Sequence, residues 1–399
     1  FFIIWSGQAV SIVTSSILQM AIIFYLTEKT GSAKVLSLAM LMGFLPSAIL
    51  GPVIGVLTDR YSRKLVMISS DLFIAAAGAV LAVYSIYREL PIWLIMVVLF
   101  IRSVGASFHT PALSAATPLI VPEEELTKCA GYSQSIQSAS YVLGPAIAAV
   151  LYAAWDMNYI ILLDILGAFA ACLTVAIVKI PILKIDKSDK KNSFISEAKE
   201  GFLVISKHDG FMALLIIGTL YMLIVMPVGA LFPLMSMDYF RGTPMHASIV
   251  ESAFGLGMLL GGLLLAAIST KKNRVFLVIL SIFIMGFSLV VSGVLSTNMF
   301  YIFAVLSALM GLSAPFYSGI QTVLYQEKIE AEYLGRVFSI SGSIMSFAMP
   351  VGLMLSGAFA DKVGINNWFI MSGALIMIIA LICPMISAIR NIDKEEAEA

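Results

Sequence analysis

The chain has 399 residues, 60% of them hydrophobic and 12% charged, with 24 basic and 24 acidic side chains in balance. A mean hydropathy of +0.99 lies far outside the range of water-soluble domains. Neutral overall charge offers no basic face for nucleic acid, and no polar stretch is long enough to hold a separate soluble active site.

Apolar runs of about twenty residues, enough to cross a hydrocarbon core of roughly 30 Å, recur from end to end. They predict twelve spans, at 1–26, 34–57, 65–86, 91–113, 129–153, 158–179, 211–236, 247–269, 275–295, 299–323, 335–358 and 366–389. The chain opens in the first span without a methionine, so a short inner N-terminus is expected to precede it. That run lacks a small-residue cleavage site and does not read as a signal peptide. With both termini cytoplasmic, the inner loops hold 18 of the 24 Lys and Arg, the outer loops five, and Arg102 lies within a span. This bias sets orientation by the positive-inside rule. The expected fold is an all-α integral membrane protein, with twelve transmembrane helices in two pseudo-symmetric six-helix bundles.

Between spans two and three runs Gly55-Val-Leu57-Thr-Asp59-Arg60-Tyr-Ser62-Arg63-Lys64. An Asp among cations at a membrane edge is costly unless it contacts something specific. Span five spaces Gly131, Ser140, Gly144, Pro145, Ala148 and Ala149 so that small residues recur around a helix-bending proline. Small residues four apart let helix backbones approach closely. Gly257 and Gly261 on span eight offer span five a matching surface, and Gly51 and Gly55 on span two would pair with Gly352 and Ser356 on span eleven.

Spans six and seven are separated by the most polar segment, Lys184 to Lys191. Phe194, Ile195, Ala198, Phe202 and Ile205 then recur at helical spacing against charged neighbours, as in a helix lying on the inner membrane surface. The order of features repeats across this linker at an offset of about 205 residues, as in Pro145 against Pro350 and Gly105 against Gly311. A weaker echo of the first loop, Gly262 before Lys271, Lys272 and Arg274, ends span eight. The expected domains are an N-terminal bundle at 1–180, a cytoplasmic linker at 181–210, and a C-terminal bundle with a short tail at 211–399. Two parallel halves suit an alternating-access transporter with its substrate site at their interface.

Five ionisable residues lie within the spans: Asp71, Arg102, His109, Asp164 and Glu251. Each costs roughly 2.5–3.5 kcal/mol at the bilayer centre on insertion scales, so each needs a partner, a cavity or a function. All five are proton-coupling candidates, with Glu251 first; Asp71 and Asp164 also read as structural carboxyls. Polar stripes mark a cavity lining: Gln8, Ser11, Ser15 and Gln19 on span one, Gln134, Gln137 and Tyr141 on span five, and Ser313, Tyr317 and Gln321 on span ten. Uncharged hydrogen-bonding groups among aromatic and Met side chains suit a bulky, mostly apolar ligand.

No phosphate-binding Gly-x4-Gly-Lys-Ser/Thr loop is present, and His109, His208 and His246 are too scattered for a metal motif. Cys129, Cys172 and Cys383 are isolated and read as packing residues. No enzyme activity, cofactor or metal is expected; the energy source would be an ion gradient.

The loop after span two resembles the signature Gly-x-Leu-x-Asp-Arg-x-Gly-Arg-Lys of the major facilitator superfamily, matching at Gly55, Leu57, Asp59, Arg60, Arg63 and Lys64 and departing at Ser62. The resemblance implies a gate in this loop and an exporter motif on span five at Gly131, Ser140, Gly144 and Pro145, shaping the contact of spans five and eight. It also implies that Arg102 and His109 face water or substrate. The stretches Gly7–Gly31, Phe108-His-Thr-Pro-Ala-Leu and Leu334-Gly-Arg-Val-Phe-Ser339 look like the bacterial macrolide-efflux branch of the drug:proton antiporters. That likeness implies export of macrolides in exchange for protons across a bacterial plasma membrane. It further implies cooperation with a separate ATP-binding ribosome-protection protein. A monomer in the lipid bilayer is expected. Export of another lipophilic drug or a lipid-linked solute, or a receptor or scaffold role without transport, are the alternatives.

Asp59 is expected at the inner end of span eleven near Gly335, where a carboxylate meets the positive end of a helix dipole. Asp59→Asn should therefore cut drug efflux while leaving expression and folding intact. Efflux assays on cells with matched protein levels check this, and full efflux in the variant would remove the gating role.

Overall fold

Inside hydrocarbon every backbone N–H and C=O must be satisfied within the chain, and apolar runs of this length meet that demand as helices. The computed structural model describes residues 2–122, 125–181, 202–207, 209–267, 274–329 and 331–391. Within them, the side chains of 48, 51–60, 126–128, 130–131, 134, 209, 331–332, 335, 339 and 390–391 are not described. The long helices are α1 (Phe2–Thr30), α2 (Ala33–Arg60), α3 (Arg63–Tyr87), α4 (Ile92–Ile120), α5 (Leu126–Ala154) and α6 (Met157–Ile177), then α7 (Asp209–Ala230), α8 (Pro244–Ala267), α9 (Arg274–Val294), α10 (Phe300–Lys328), α11 (Ala331–Val363) and α12 (Ile365–Ile382). No strand occurs among the described residues. Eleven of these helices are long and apolar enough to cross a membrane, and α2 contributes the shorter described stretch Ala33–Ser47. Exposed side chains such as Val80, Leu173, Leu263 and Val305 form an outward apolar surface suited to lipid. The chain is a multi-pass membrane protein.

One span departs from its expected extent. The run at 211–236 does not stay one helix: α7 ends at Ala230, and the short helix Phe232–Leu234 restarts before a wide π turn at Met235–Tyr239. Pro227 and Pro233 each remove a backbone donor, which accounts for the break. In the linker, 202–206 are helical with Ile205 buried and Phe202 exposed. Residues 182–201, which carry the rest of the expected surface helix, lie outside the described residues.

Two compact units emerge, Phe1–Asp189 with Thr243–Ser252, and Lys190–Gly242 with Ala253–Ala399. In the first, α1 packs on α5 and α6, α2 on α4, and α3 on both α4 and α6. The second repeats this scheme six helices later: α7 packs on α11 and α12, and α9 on α10 and α12, while α8 meets α10 through glycines. The repeat visible in the sequence is thus a repeat of pairing.

The glycines make close contacts within each unit. A Cβ at Gly257 would collide with the Ala308 carbonyl oxygen, and one at Gly261 with that of Leu312. The small surface of α8 at these positions is packed on α10. Gly144 approaches Ser16 on α1, and the Ser16 hydroxyl donates to the Ser140 carbonyl oxygen at 3.2 Å. Gly352 packs on Leu223 and Pro227 of α7. Contact between α5 and α8 is made elsewhere, where Ser252 Oγ donates to the Val142 carbonyl oxygen at 2.9 Å. Close approach depends on a missing Cβ, but spacing alone does not say which helix supplies the partner.

Gly257→Ala should destabilise the protein by about 1–3 kcal/mol, because the Ala308 backbone must move. Gly262, on the same helix, has nothing within 4 Å of an added Cβ. Gly262→Ala should be neutral within about 0.5 kcal/mol. Unfolding of the two purified variants in one detergent compares them, and equal behaviour would refute the contact.

Candidate functional site

The ionisable residues of the first unit collect into two layers. In the outer layer the Arg102 guanidinium on α4 is ion-paired with the Asp164 carboxylate on α6 through Nη1 and Oδ2. Ser15 Oγ on α1 donates to Asp164 Oδ1 at 2.7 Å, and Arg102 Nη2 reaches Ser15 Oγ at 3.5 Å. Asp164 is 1% exposed and Arg102 11%. Gly78 on α3 lies beside this group and packs closely on Ile165 of α6, 3.3 Å from an added Cβ. The outer layer is a closed ion pair spanning three helices.

The second layer lies seven residues away along α1, α3 and α4, two helical turns or about 10 Å. Here Asp71 on α3 faces His109 on α4, with Nε2 3.5 Å from Oδ1. Gln8 on α1 faces the same carboxyl, although its Nε2 makes no hydrogen bond of normal geometry. Cys172 on α6 donates its thiol to the Ile68 carbonyl oxygen at 3.7 Å, one turn from Asp71. Asp71 Oδ2, His109 Nε2 and Gln8 Nε2 are all buried without a hydrogen bond. Between the layers Gly105 lets Ile74 close against α4, and Ala168 on α6 is buried. Below the second layer, Ile4, Met67, Ala112, Ala116 and Val175 form an apolar plug.

Glu251 stands on the segment of α8 that belongs to the first unit, beside Ser252 and its bond to Val142. It is half-buried and makes no hydrogen bond or ion pair among the described residues. Lys64, from the loop motif, donates to the carbonyl oxygens of Ala176 at 2.6 Å and Val178 at 2.9 Å. A cation on the last carbonyls of α6 satisfies orphan acceptors and the helix dipole together. Arg63 begins α3. The side chains at Gly55, Asp59, Arg60, Gly131, Gln134 and Gly335 lie outside the described residues.

The polar stripes divide. Gln8 and Ser15 are turned into the first unit by the carboxyls they serve. Tyr317 and Gln321 are buried in the second, where Tyr317 stacks on Tyr221 at 4.5 Å between centroids and Gln321 Nε2 donates to Tyr325 Oη at 3.4 Å. Gln137 and Tyr141 are exposed, and Gln19 is half-buried. Arg102, expected to face water or substrate, is largely buried with its charge matched by Asp164. Sequence reasoning missed this pairing because 62 residues separate the partners and no periodicity links them. It also missed Cys172, Tyr221 and Tyr325, which have no polar stripe of their own.

Counted from the helix starts, the second unit places Met310 and Ser372 where the first has Arg102 and Asp164, and Ile282 and Tyr317 where it has Asp71 and His109. Among the described residues the second unit has its own ion pair, buried Arg274 with half-exposed Glu327 near the helix ends, but no ion pair at the positions of Arg102–Asp164 or Asp71–His109.

The family described as transmembrane secretion effector matches residues 1–399. The chain belongs to this family of the major facilitator superfamily. It is 61% identical over 393 residues to "Macrolide efflux protein A" of Streptococcus pyogenes, covering 98% of this chain and 97% of that protein. A protein of the same description from Enterococcus faecalis is 59% identical over 323 residues, 81% of this chain and 100% of its own length. The crystal structure of the nucleoside transporter NupG shares the fold, with a TM-score of 0.75 at 12% identity, covering 95% of this chain and 97% of that one. Relatives and fold are those of transporters.

Arg102→Ala would strand the Asp164 carboxylate in the interior, at a cost of about 3–5 kcal/mol. Replacing both, as in Arg102→Met with Asp164→Leu, should recover most of that loss. Thermal unfolding of the single and double variants in detergent checks the cycle. Additive losses would show that the two side chains do not act as a pair.

Proposed function

We propose that the protein is a secondary exporter of macrolide antibiotics, driven by proton antiport across a bacterial plasma membrane. The observation that carries the cargo is the 61% identity along 98% of the chain to a macrolide efflux protein. The fold supports transport by alternating access, without catalysis on the cargo. We further place both termini on the cytoplasmic side, with a monomer as the working unit. A separate ATP-binding ribosome-protection protein would complement it in the cell.

Coupling follows from charge. A macrolide with a basic amine is a cation at neutral pH, so a proton and the drug compete wherever a carboxylate is the only countercharge. Arg102 does not repel such a drug, because Asp164 already balances it. Glu251 has no countercharge of its own among the described residues, and it sits next to the α5 contact at Val142. Ionised, it attracts the cationic drug; protonated, it releases it. Each ligand then favours the state that excludes the other, which is antiport without a relay. Gln137 and Tyr141, exposed on α5, supply neutral hydrogen bonds to the same ligand and set its selection.

Cells expressing the chain should accumulate less labelled macrolide than controls, and a protonophore should abolish the difference. Glu251→Gln should lose proton-driven export and bind drug without pH dependence. Export that survives the protonophore would refute proton coupling. Unchanged accumulation of every macrolide tested, with export of another lipophilic drug, would refute the cargo.

A further inference from the structure

We infer that Asp71 and His109 form a proton-binding site in the first unit, distinct from Glu251 and from the Arg102–Asp164 pair. The inference deepens the proton-coupling reading above without depending on the cargo. It rests on a mismatch in hydrogen bonding. Asp71 is 4% exposed, yet its Oδ2 has no hydrogen-bond partner, and neither has His109 Nε2. The 3.5 Å between Nε2 and Oδ1 is the range of an ion pair and beyond a good hydrogen bond. Buried polar atoms are nearly always paired, so orphaned atoms on two facing side chains, Asp71 and His109, mark a place where something binds. The Gln8 amide is one donor facing the carboxyl. Asp71 Oδ2, while ionised, and His109 Nε2, in the tautomer with its hydrogen on Nδ1, both accept, so a proton, alone or with its water, supplies the donor missing between these two.

The surroundings fit that occupant. The polar and titratable groups that face Asp71 among the described residues are His109 on α4, Gln8 on α1 and Cys172 on α6. The charged residues of α2, Lys34, Asp59 and Arg60, stand at its ends. Arg102 and Asp164 neutralise one another two turns away. No fixed cation therefore balances Asp71 permanently, as Arg102 balances Asp164. With one proton the pair is neutral, whether an O–H bond forms at Asp71 or an N–H bond at His109 Nε2. Without it, one negative charge is left between the Ile74–Gly105 contact and the plug around Met67. Loading and unloading then change the charge of a layer that bridges α1, α3 and α4, which gives the proton a mechanical handle on the first unit.

The test reads the proton directly, in purified protein without drug. All measurements use a Glu251→Gln background, which removes the rival carboxyl. Infrared difference spectra across a pH titration should show the carbonyl stretch of a protonated buried carboxyl. The band should be lost in Asp71→Asn, move in position in Asp71→Glu, and change its titration midpoint in His109→Gln. The glutamate variant keeps the test decisive if the asparagine variant does not fold. Survival of the same band in the Asp71 variants, or an unchanged midpoint in His109→Gln, would overturn the site. Failure of macrolide export with these spectra intact would count against the cargo alone.

Discussion

A guanidinium and a carboxylate locked together in an apolar bundle set the terms for the first unit. Neither charge tolerates hydrocarbon alone, and removing either partner leaves an uncompensated buried ion. Arg102 and Asp164 therefore fix the rotation of α4 against α6, and Ser15 brings α1 to the same point. Once those faces are fixed, residues two turns along the same helices must also meet. That is why Gln8, Asp71 and His109 converge, although no sequence spacing connects the three. The second layer follows geometrically from the first.

The rest of the packing is governed by missing side chains. Gly257, Gly261 and Gly311 let α8 and α10 touch backbone to backbone, while Gly286 and Gly373 do the same for α9 and α12. In lipid, where apolar surface gains nothing by leaving its surroundings, such close contact and its dispersion energy hold helices together. The same pairing scheme in both units shows that the repeat was kept at the level of helix contact. Its side chains diverged.

The class of fold was legible because hydropathy reports directly on the solvent a helix faces. Small-residue spacing marked tight faces at Gly144, Gly257 and Gly352, and did not show the close partners Ser16, Ala308 and Leu223. A helix face announces its own shape, but its partner depends on topology that one-dimensional spacing does not carry. The ionisable residues were legible as a set for the same reason that they are costly: few charges sit inside apolar runs. Their assortment into a closed pair, an open pair and a lone Glu251 was not legible. It depends on rotations of α3, α4 and α6 that only the assembled bundle defines. Lys64 is instructive, since as one of a run of cations it looked like part of a gate, and it caps α6.

The unequal halves carry one further consequence. Where the first unit places Asp71 and His109, the second has Ile282 and Tyr317, and its centre is built from Phe232, Phe240, Phe303 and Phe369 in ring contact. Aromatic clusters of this kind contribute packing energy that does not change with pH. In the coupling proposed above, a titrating group in the first unit would act beside a ring cluster whose packing does not change with pH. Two halves that responded equally would shift together, and their relative preference would stay the same. Differential stabilisation is the only means by which a ligand moves a conformational equilibrium. In the coupling proposed above, the presence of Asp71 and His109 in one member of the repeat, against Ile282 and Tyr317 in the other, would supply that difference.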